Sequence, residues 1–186
     1  TKEALVGAAA LGYPLVQLRT KGAATALVEN APTFFRATKQ HDDQRIILND
    51  DVEAALRFGY DGVHLGQGDL AQLEGKSKLP IALGISTHNQ DELDIALEYQ
   101  PEYVAFGALF ASTTKSSVRV CEHEFVLTGA ARCSALQVQT VGIGGISPNT
   151  ITAAKQLPLD YLAFVQWVDR LLLDQQSATE WSTLYR

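Results

Sequence analysis

The feature that most constrains this chain is a recurrence. Short apolar runs rich in β-branched residues return seven times, at 14–18, 45–48, 62–65, 81–85, 103–106, 138–143 and 161–165. Each run is nearly continuously apolar rather than alternating, which is the pattern of a parallel strand buried on both faces. Parallel strands need long crossover connections, and the stretches between the runs carry helical patterning. One begins with the acidic pair Asp50 and Asp51; another has Asn89 as a fitting N-cap; a third reads as Ser147 capping a helix with Pro148 in its first turn.

No repeat, charge run or low-complexity linker divides the 186 residues, so the expectation is a single domain over 1–186. Strand–helix units of this number suit either an open doubly wound sheet or a closed barrel of parallel strands. The polar residues favour the barrel, because they gather just after the carboxyl end of almost every strand, where a barrel assembles its site from many loops. An open sheet would concentrate them at one switch point. The expected fold is therefore α/β, a (βα)8 TIM barrel that lacks its first strand, since the chain begins in what reads as the first helix. Two open edges would result, so either a segment precedes Thr1 in the natural protein or another element covers the gap. The absence of methionine, even at position 1, also suggests processing or a start downstream of the natural one.

Charge and composition narrow the function. Charged residues make up 19%, below the ~25% usual for soluble domains, while 46% are hydrophobic, which excludes disorder. The net charge of −6 argues against a nucleic-acid surface, so any anionic ligand has to meet local positive charge. No apolar run approaches a membrane span and no signal peptide is legible, so no membrane partner is expected and the cytoplasm is the expected location. Cys121 and Cys133 have neither zinc-ligand spacing nor the density of a disulfide scaffold and read as ordinary thiols. A homo-oligomer is left open.

The strand ends carry the chemistry. In order they present Gln17-Leu18-Arg19-Thr20-Lys21, Asn49-Asp50, His64-Leu65-Gly66-Gln67-Gly68-Asp69, Ser86-Thr87-His88, Ser112-Thr113-Thr114-Lys115 and Gly142-Ile143-Gly144-Gly145. Arg19, Lys21 and Lys115 form a cradle for a polyanion, to which Ser112, Thr114 and the backbone near Gly144 and Gly145 add neutral donors. Asp50 and Asp69 suit one hard cation; magnesium fits best, since it takes one or two carboxylates and completes its shell with water and substrate phosphates. Each residue also has an ordinary reading. Asp50 or Asp51 could simply cap a helix, Asp69 another; lone lysines are usually solvated; the glycines could only turn the chain; His64 in an apolar strand reads as a hydrogen-bonded structural histidine. The weight lies in six strand ends that all carry phosphate- or metal-compatible residues. The Gly142–Ser147 segment misses the dinucleotide fingerprint, and no Walker loop, zincin helix or nucleophile elbow is present.

In both order and spacing, Gln17-Leu18-Arg19-Thr20-Lys21, Asn49-Asp50, Gly62-Val63-His64-Leu65-Gly66-Gln67-Gly68-Asp69, Gly84-Ile85-Ser86-Thr87-His88 and Thr114-Lys115 resemble the thiamine-phosphate synthase family over most of the chain. The resemblance implies a TIM-barrel transferase of thiamine biosynthesis that joins hydroxymethylpyrimidine pyrophosphate to a thiazole phosphate. It implies also that pyrophosphate leaves through a dissociative, carbocation-like step. It further implies that Arg19, Lys21 and Lys115 are catalytic, that these three and Asn49 contact the pyrophosphate, and that Gln17 and Ser86 contact the pyrimidine. Asp50 and Asp69 would hold Mg2+, while Ser112, Thr114, Gly145 and the segment with Val165 and Gln166 would receive the thiazole phosphate.

The sequence departs from the family at three places: Ala111-Ser112 stands where proline-threonine is usual, Gln166-Trp167 where a serine is usual, and no glycine follows Lys115 closely. Those departures keep two alternatives in view, a catalytically impaired phosphate-ligand binding relative and a thiazole tautomerase-like protein. The second would be expected to lack the metal aspartates and the Thr114-Lys115 pair, and this chain has both.

Overall fold

The computed structural model describes residues 1–20, 25–75, 78–111 and 119–164. Its contacts gather into two compact units, described here as 1–61 and 62–164, each by itself.

In the first unit the order is α1 (Lys2–Ala10), β1 (Leu15–Leu18), α2 (Thr25–Thr38), β2 (Arg45–Asn49) and α3 (Val52–Phe58). The strands β1 and β2 are parallel, with Leu15 opposite Arg45 and Leu18 opposite Leu48. Ile46, Ile47 and Leu48 are consecutive and all buried, so β2 is covered on both faces, as its unbroken apolar run requires. Thr1 caps α1 by accepting the Ala4 amide at 3.2 Å. The buried Gln44 ties α1 to the strand entry: its Nε2 donates to the carbonyls of Ala9 and Tyr13 at 3.0 and 2.9 Å, and its Oε1 accepts the amide of His41.

Pro32 lies inside α2 and has no N–H for the carbonyl of Val28, one turn back. The hydroxyl of Tyr60, just past α3, donates to that carbonyl at 2.7 Å. Burial pushes the Tyr60 phenol well above its ordinary range, which keeps this donor protonated. Helix α3 ends at Gly59 with φ +76°, the left-handed conformation that glycine adopts without strain.

In the second unit the order is β3 (Gly62–Leu65), a 3-10 helix (Gln67–Leu73), β4 (Ala82–Thr87), α4 (Gln90–Glu98), β5 (Tyr103–Gly107), α5 (His123–Ala135), β6 (Gln139–Ile143), α6 (Ile151–Ala154) and β7 (Tyr161–Ala163). All neighbouring strands from β3 to β7 pair in parallel, in sequence order. The core is built from Val63, Leu65, Ile85, Leu93, Val104, Phe106, Val126 and Ile151, each at most 2% exposed. One device serves both units at the opposite, amino ends of the strands. Asp61 accepts the amide of Ile46 at 2.8 Å, and Asp160 accepts both the amide and hydroxyl of Thr140 at 2.8 and 2.7 Å. A carboxylate at the end of each return loop thus satisfies an amide that the ladder leaves open.

The strands fall where the apolar runs predict, with ends shifted by one or two residues, and β7 ends at Ala163 within the described residues. Of the two acids that could cap α3, Asp51 does so, through the Ala54 amide at 2.9 Å. One helix start differs from expectation. Ser147 and Pro148 do not open a helix; they form a turn in which Ser147 accepts the amides of Thr150 and Ile151, and α6 begins one turn later. The Thr150 hydroxyl is already bonded to the Gly145 carbonyl at 2.8 Å, which holds the chain in that turn. Among the described residues no helix is long and apolar enough to cross a membrane.

Tyr60→Phe removes the hydroxyl that meets the Val28 carbonyl and should cost about 1–2 kcal/mol in urea unfolding. In a Pro32→Ala background, where an amide can return to that carbonyl, the loss should shrink by at least half. An unchanged loss would show that the hydroxyl does not compensate for the proline.

Candidate active site

The carboxyl ends of β1 and β2 hold the first group of candidates. Gln17 stands one residue before the end of β1, and Asn49 ends β2 one position beyond the Leu18–Leu48 pair. Gln17 Nε2 donates to Asn49 Oδ1 at 3.1 Å, which fixes the orientation of the Asn49 amide. Its Nδ2 is then buried with no hydrogen-bond partner among the described residues. An unmet buried donor costs about 1–3 kcal/mol, so its retention at a strand end marks a place where an acceptor is expected to bind. Asp50 follows at φ +69°, a left-handed conformation uncommon for aspartate, and its side chain is exposed. With Asp51 serving as cap, Asp50 is released from that duty. Arg19, after β1, is exposed and pairs with no described carboxylate.

The second unit presents its own group at the ends of β3, β4 and β6. Ser86 lies near the end of β4; its hydroxyl is 2.7 Å from His64 Nε2 and its carbonyl accepts Gln67 Nε2 at 2.8 Å. His64 Nδ1 is in turn 2.9 Å from the Tyr103 hydroxyl, so the histidine is hydrogen-bonded on both sides, as the structural reading expects. Asp69 sits in the first turn of the 3-10 helix, yet it is no cap: Gly66 holds that position without a side-chain bond. The half-buried Asp69 carboxylate has no hydrogen-bond or ion-pair partner among the described residues. Asn89 caps α4 by accepting the Glu92 amide, and Glu92 returns to the amide and ring of His88 at 2.9 and 2.6 Å; this is a helix start, not a catalytic histidine.

After β6 the chain turns through Gly144 and Gly145, both at positive φ. A Cβ on Gly144 would lie 2.6 Å from that of Ala108, and one on Gly145 would run into Phe110, so both positions require glycine for space as well as for conformation. Neither glycine amide donates to a described residue, which leaves two backbone donors beside the strand end.

Lys21, Ser112, Thr114, Lys115, Val165 and Gln166 lie outside the described residues. No cluster of three or more histidine, cysteine, aspartate or glutamate side chains forms among the described residues. That excludes a closed protein cage of zinc type there, whereas magnesium needs only one or two carboxylates, and the unpartnered oxygen donors of Asp69 fit it. Cys121 and Cys133 are free and buried, and burial pushes each thiol up to about 11. Sequence reasoning assigned Tyr103 no role, and Gly84 entered only as part of the stretch that carries the resemblance. A glycine inside a buried strand signals a close approach by another group, and here that group is the Tyr103 ring.

This is an α/β fold of parallel strands whose polar groups collect at the carboxyl ends, the class of enzyme sites built on TIM-barrel-like frames. The family model described as thiamine monophosphate synthase matches residues 1–168. Thiamine-phosphate synthase of Lysinibacillus sphaericus is 38% identical over 149 residues, 77% of this chain and 70% of that one. The enzyme of the same name from Thioalkalivibrio sulfidiphilus is 37% identical over 163 residues, 84% of this chain and 74% of its own. The chain belongs to the thiamine monophosphate synthase family. Among solved structures, thiamine phosphate pyrophosphorylase from Pyrococcus furiosus shares the fold, with a TM-score of 0.69 at 21% identity, covering 88% of this chain and 78% of that one.

The thiols have a checkable consequence. At pH 8 a disulfide reagent should label native Cys121 and Cys133 at least about 10²-fold more slowly than the unfolded chain, where they ionise as free cysteines. Because both are raised in the folded state from 9.0 to about 11, unfolding releases protons between those values, and stability should fall as pH climbs from 9 to 11. Rapid native labelling, or stability flat across that interval, would contradict the burial of the thiols.

Proposed function

We propose that this protein is a thiamine-phosphate synthase: a transferase that couples hydroxymethylpyrimidine pyrophosphate to thiazole phosphate and releases pyrophosphate. The observation that carries the reading is the Asn49 amide, aligned by Gln17 and left with an unmet donor where the family resemblance expects the pyrophosphate. A pyrophosphate oxygen is an acceptor of the kind that donor lacks.

The chemistry needs little acid–base work. As the pyrimidine–oxygen bond breaks, positive charge grows on the pyrimidine methylene and negative charge on the leaving group, and the thiazole nitrogen then forms the new bond. Catalysis of that kind rests on positioning and on stabilising the departing charge. Arg19 and Asn49 bind pyrophosphate oxygens, with Lys21 and Lys115 assigned the same task. Ser86 and Gln17 orient the pyrimidine. The amide of Gly145, with Ser112, Thr114 and the Val165–Gln166 segment, receives the thiazole phosphate. Asp50 and Asp69 are the residues we assign to magnesium, which neutralises pyrophosphate charge when bound. A site for small phosphorylated substrates accords with the absence of nucleic-acid character in a chain of net charge −6, and we assign the protein to the cytoplasm.

Incubation with hydroxymethylpyrimidine pyrophosphate, thiazole phosphate and magnesium should yield thiamine phosphate, read by its oxidised fluorescence, and a chelator should abolish the product. Folded protein that binds pyrophosphate but forms no product would overturn the proposal. Asn49→Ala should lower kcat/KM by about 10–10²-fold without lowering stability by more than about 1 kcal/mol, because relief of the unmet buried donor offsets loss of the Gln17 bond.

A further inference from the structure

The row His64, Gly84 and Tyr103 runs straight across three strands. His64 of β3 is in register with Gly84 of β4, and Gly84 with Tyr103 of β5. Side chains at one level of neighbouring strands normally stand side by side, with the middle one between the outer two. Here the middle residue has no side chain. A Cβ on Gly84 would run into the Tyr103 ring, so the phenol lies across β4 in the space that glycine leaves open. It reaches the His64 imidazole, with ring centroids 5.5 Å apart and planes 24° from parallel, and its hydroxyl sits 2.9 Å from Nδ1. The opposite ring nitrogen, Nε2, is 2.7 Å from the hydroxyl of Ser86, two residues along β4 on the same face as Gly84. Tyr103 and His64 are 6% and 8% exposed, so water does not compete for the bond between them.

We infer that Tyr103 and His64 are positioning residues that present Ser86 to the pyrimidine as a hydrogen-bond donor. A neutral imidazole has one donor nitrogen and one acceptor, and its partners select which is which. Either tautomer takes a proton from one hydroxyl and gives a ring proton to the other; the phenol is the more acidic of the two hydroxyls and the serine oxygen the more basic acceptor, so Tyr103 donates to Nδ1. The ring proton then resides on Nε2 and is donated to Ser86 Oγ. With its oxygen engaged as an acceptor, Ser86 keeps its own proton for a ligand. Gln67, bonded to the Ser86 carbonyl at 2.8 Å, holds the backbone on which that hydroxyl turns. A buried tyrosine thereby sets the polarity of a half-buried serine two hydrogen bonds away.

The inference rests on the proposed pyrimidine contact of Ser86, and two measurements separate them. In the first, 15N spectra of the ligand-free protein report the tautomer of His64 without any substrate. The proton is expected on Nε2, and Tyr103→Phe should shift the ring toward a mixture; a proton on Nδ1 in the wild type overturns the inference. In the second, Tyr103→Phe keeps the ring and should lower kcat/KM for the pyrimidine substrate about tenfold, leaving KM for thiazole phosphate unchanged. In a Ser86→Ala background the same change should cost less than about twofold. If the two effects multiply instead, Tyr103 acts on the fold rather than through Ser86, and the inference fails. A wild type that makes no thiamine phosphate would sink the proposed function while the tautomer result still decides the network.

Discussion

Parallel pairing is the constraint on which the placement of every candidate group depends. When strands run in one direction, all their carboxyl ends open at one level of the sheet and all their amino ends at the other. The first unit by itself places Gln17, Arg19, Asn49 and Asp50 at the carboxyl ends of its strands, and the second by itself places Ser86, Asp69, Gly144 and Gly145 at the carboxyl ends of its own. The amino ends carry a different chemistry, the loop carboxylates Asp61 and Asp160 that close open amides. Conservative structural work and ligand-directed groups are thus separated by strand direction alone.

What distinguishes the ligand-directed groups is unmet hydrogen-bonding capacity. Elsewhere the described residues satisfy their buried polar atoms closely: Gln44 uses both ends of its amide, Tyr60 takes the carbonyl that Pro32 leaves, and Asp160 serves two donors. At the strand ends the accounting stops short. Asn49 Nδ2, the Asp69 carboxylate and the amides of Gly144 and Gly145 face no described partner. A unit that tolerates such gaps at its strand ends, and avoids them in the rest, reserves those ends for oxygen-rich ligands.

Asp50 and Gly84 show two ways of reserving space. Asp50 accepts a left-handed backbone while its neighbour Asp51 does the capping, so of two adjacent acids only one serves as the helix cap. Gly84 gives up a side chain so that Tyr103 can cross the strand. Both substitute local cost for a defined position, as functional sites commonly do.

The strand–helix alternation, the parallel character of the strands and the candidates Gln17, Asn49, Asp50, Asp69, Ser86 and Gly145 were all legible in the chain itself. Continuous apolar runs imply burial on both faces, and residues that follow such runs must lie at strand ends. Which of Asp50 and Asp51 caps α3, and that Ser147 and Pro148 form a turn ahead of α6, depended on competition between nearby acceptors for the same amides. The tyrosine behind His64 depended on more still. Contacts between residues 39 positions apart follow from the register of three strands, and no local pattern of apolar and polar residues encodes register. Local periodicity determined the elements and their ends; the alignment of those ends, which only packing decides, determined which groups meet and which are left open.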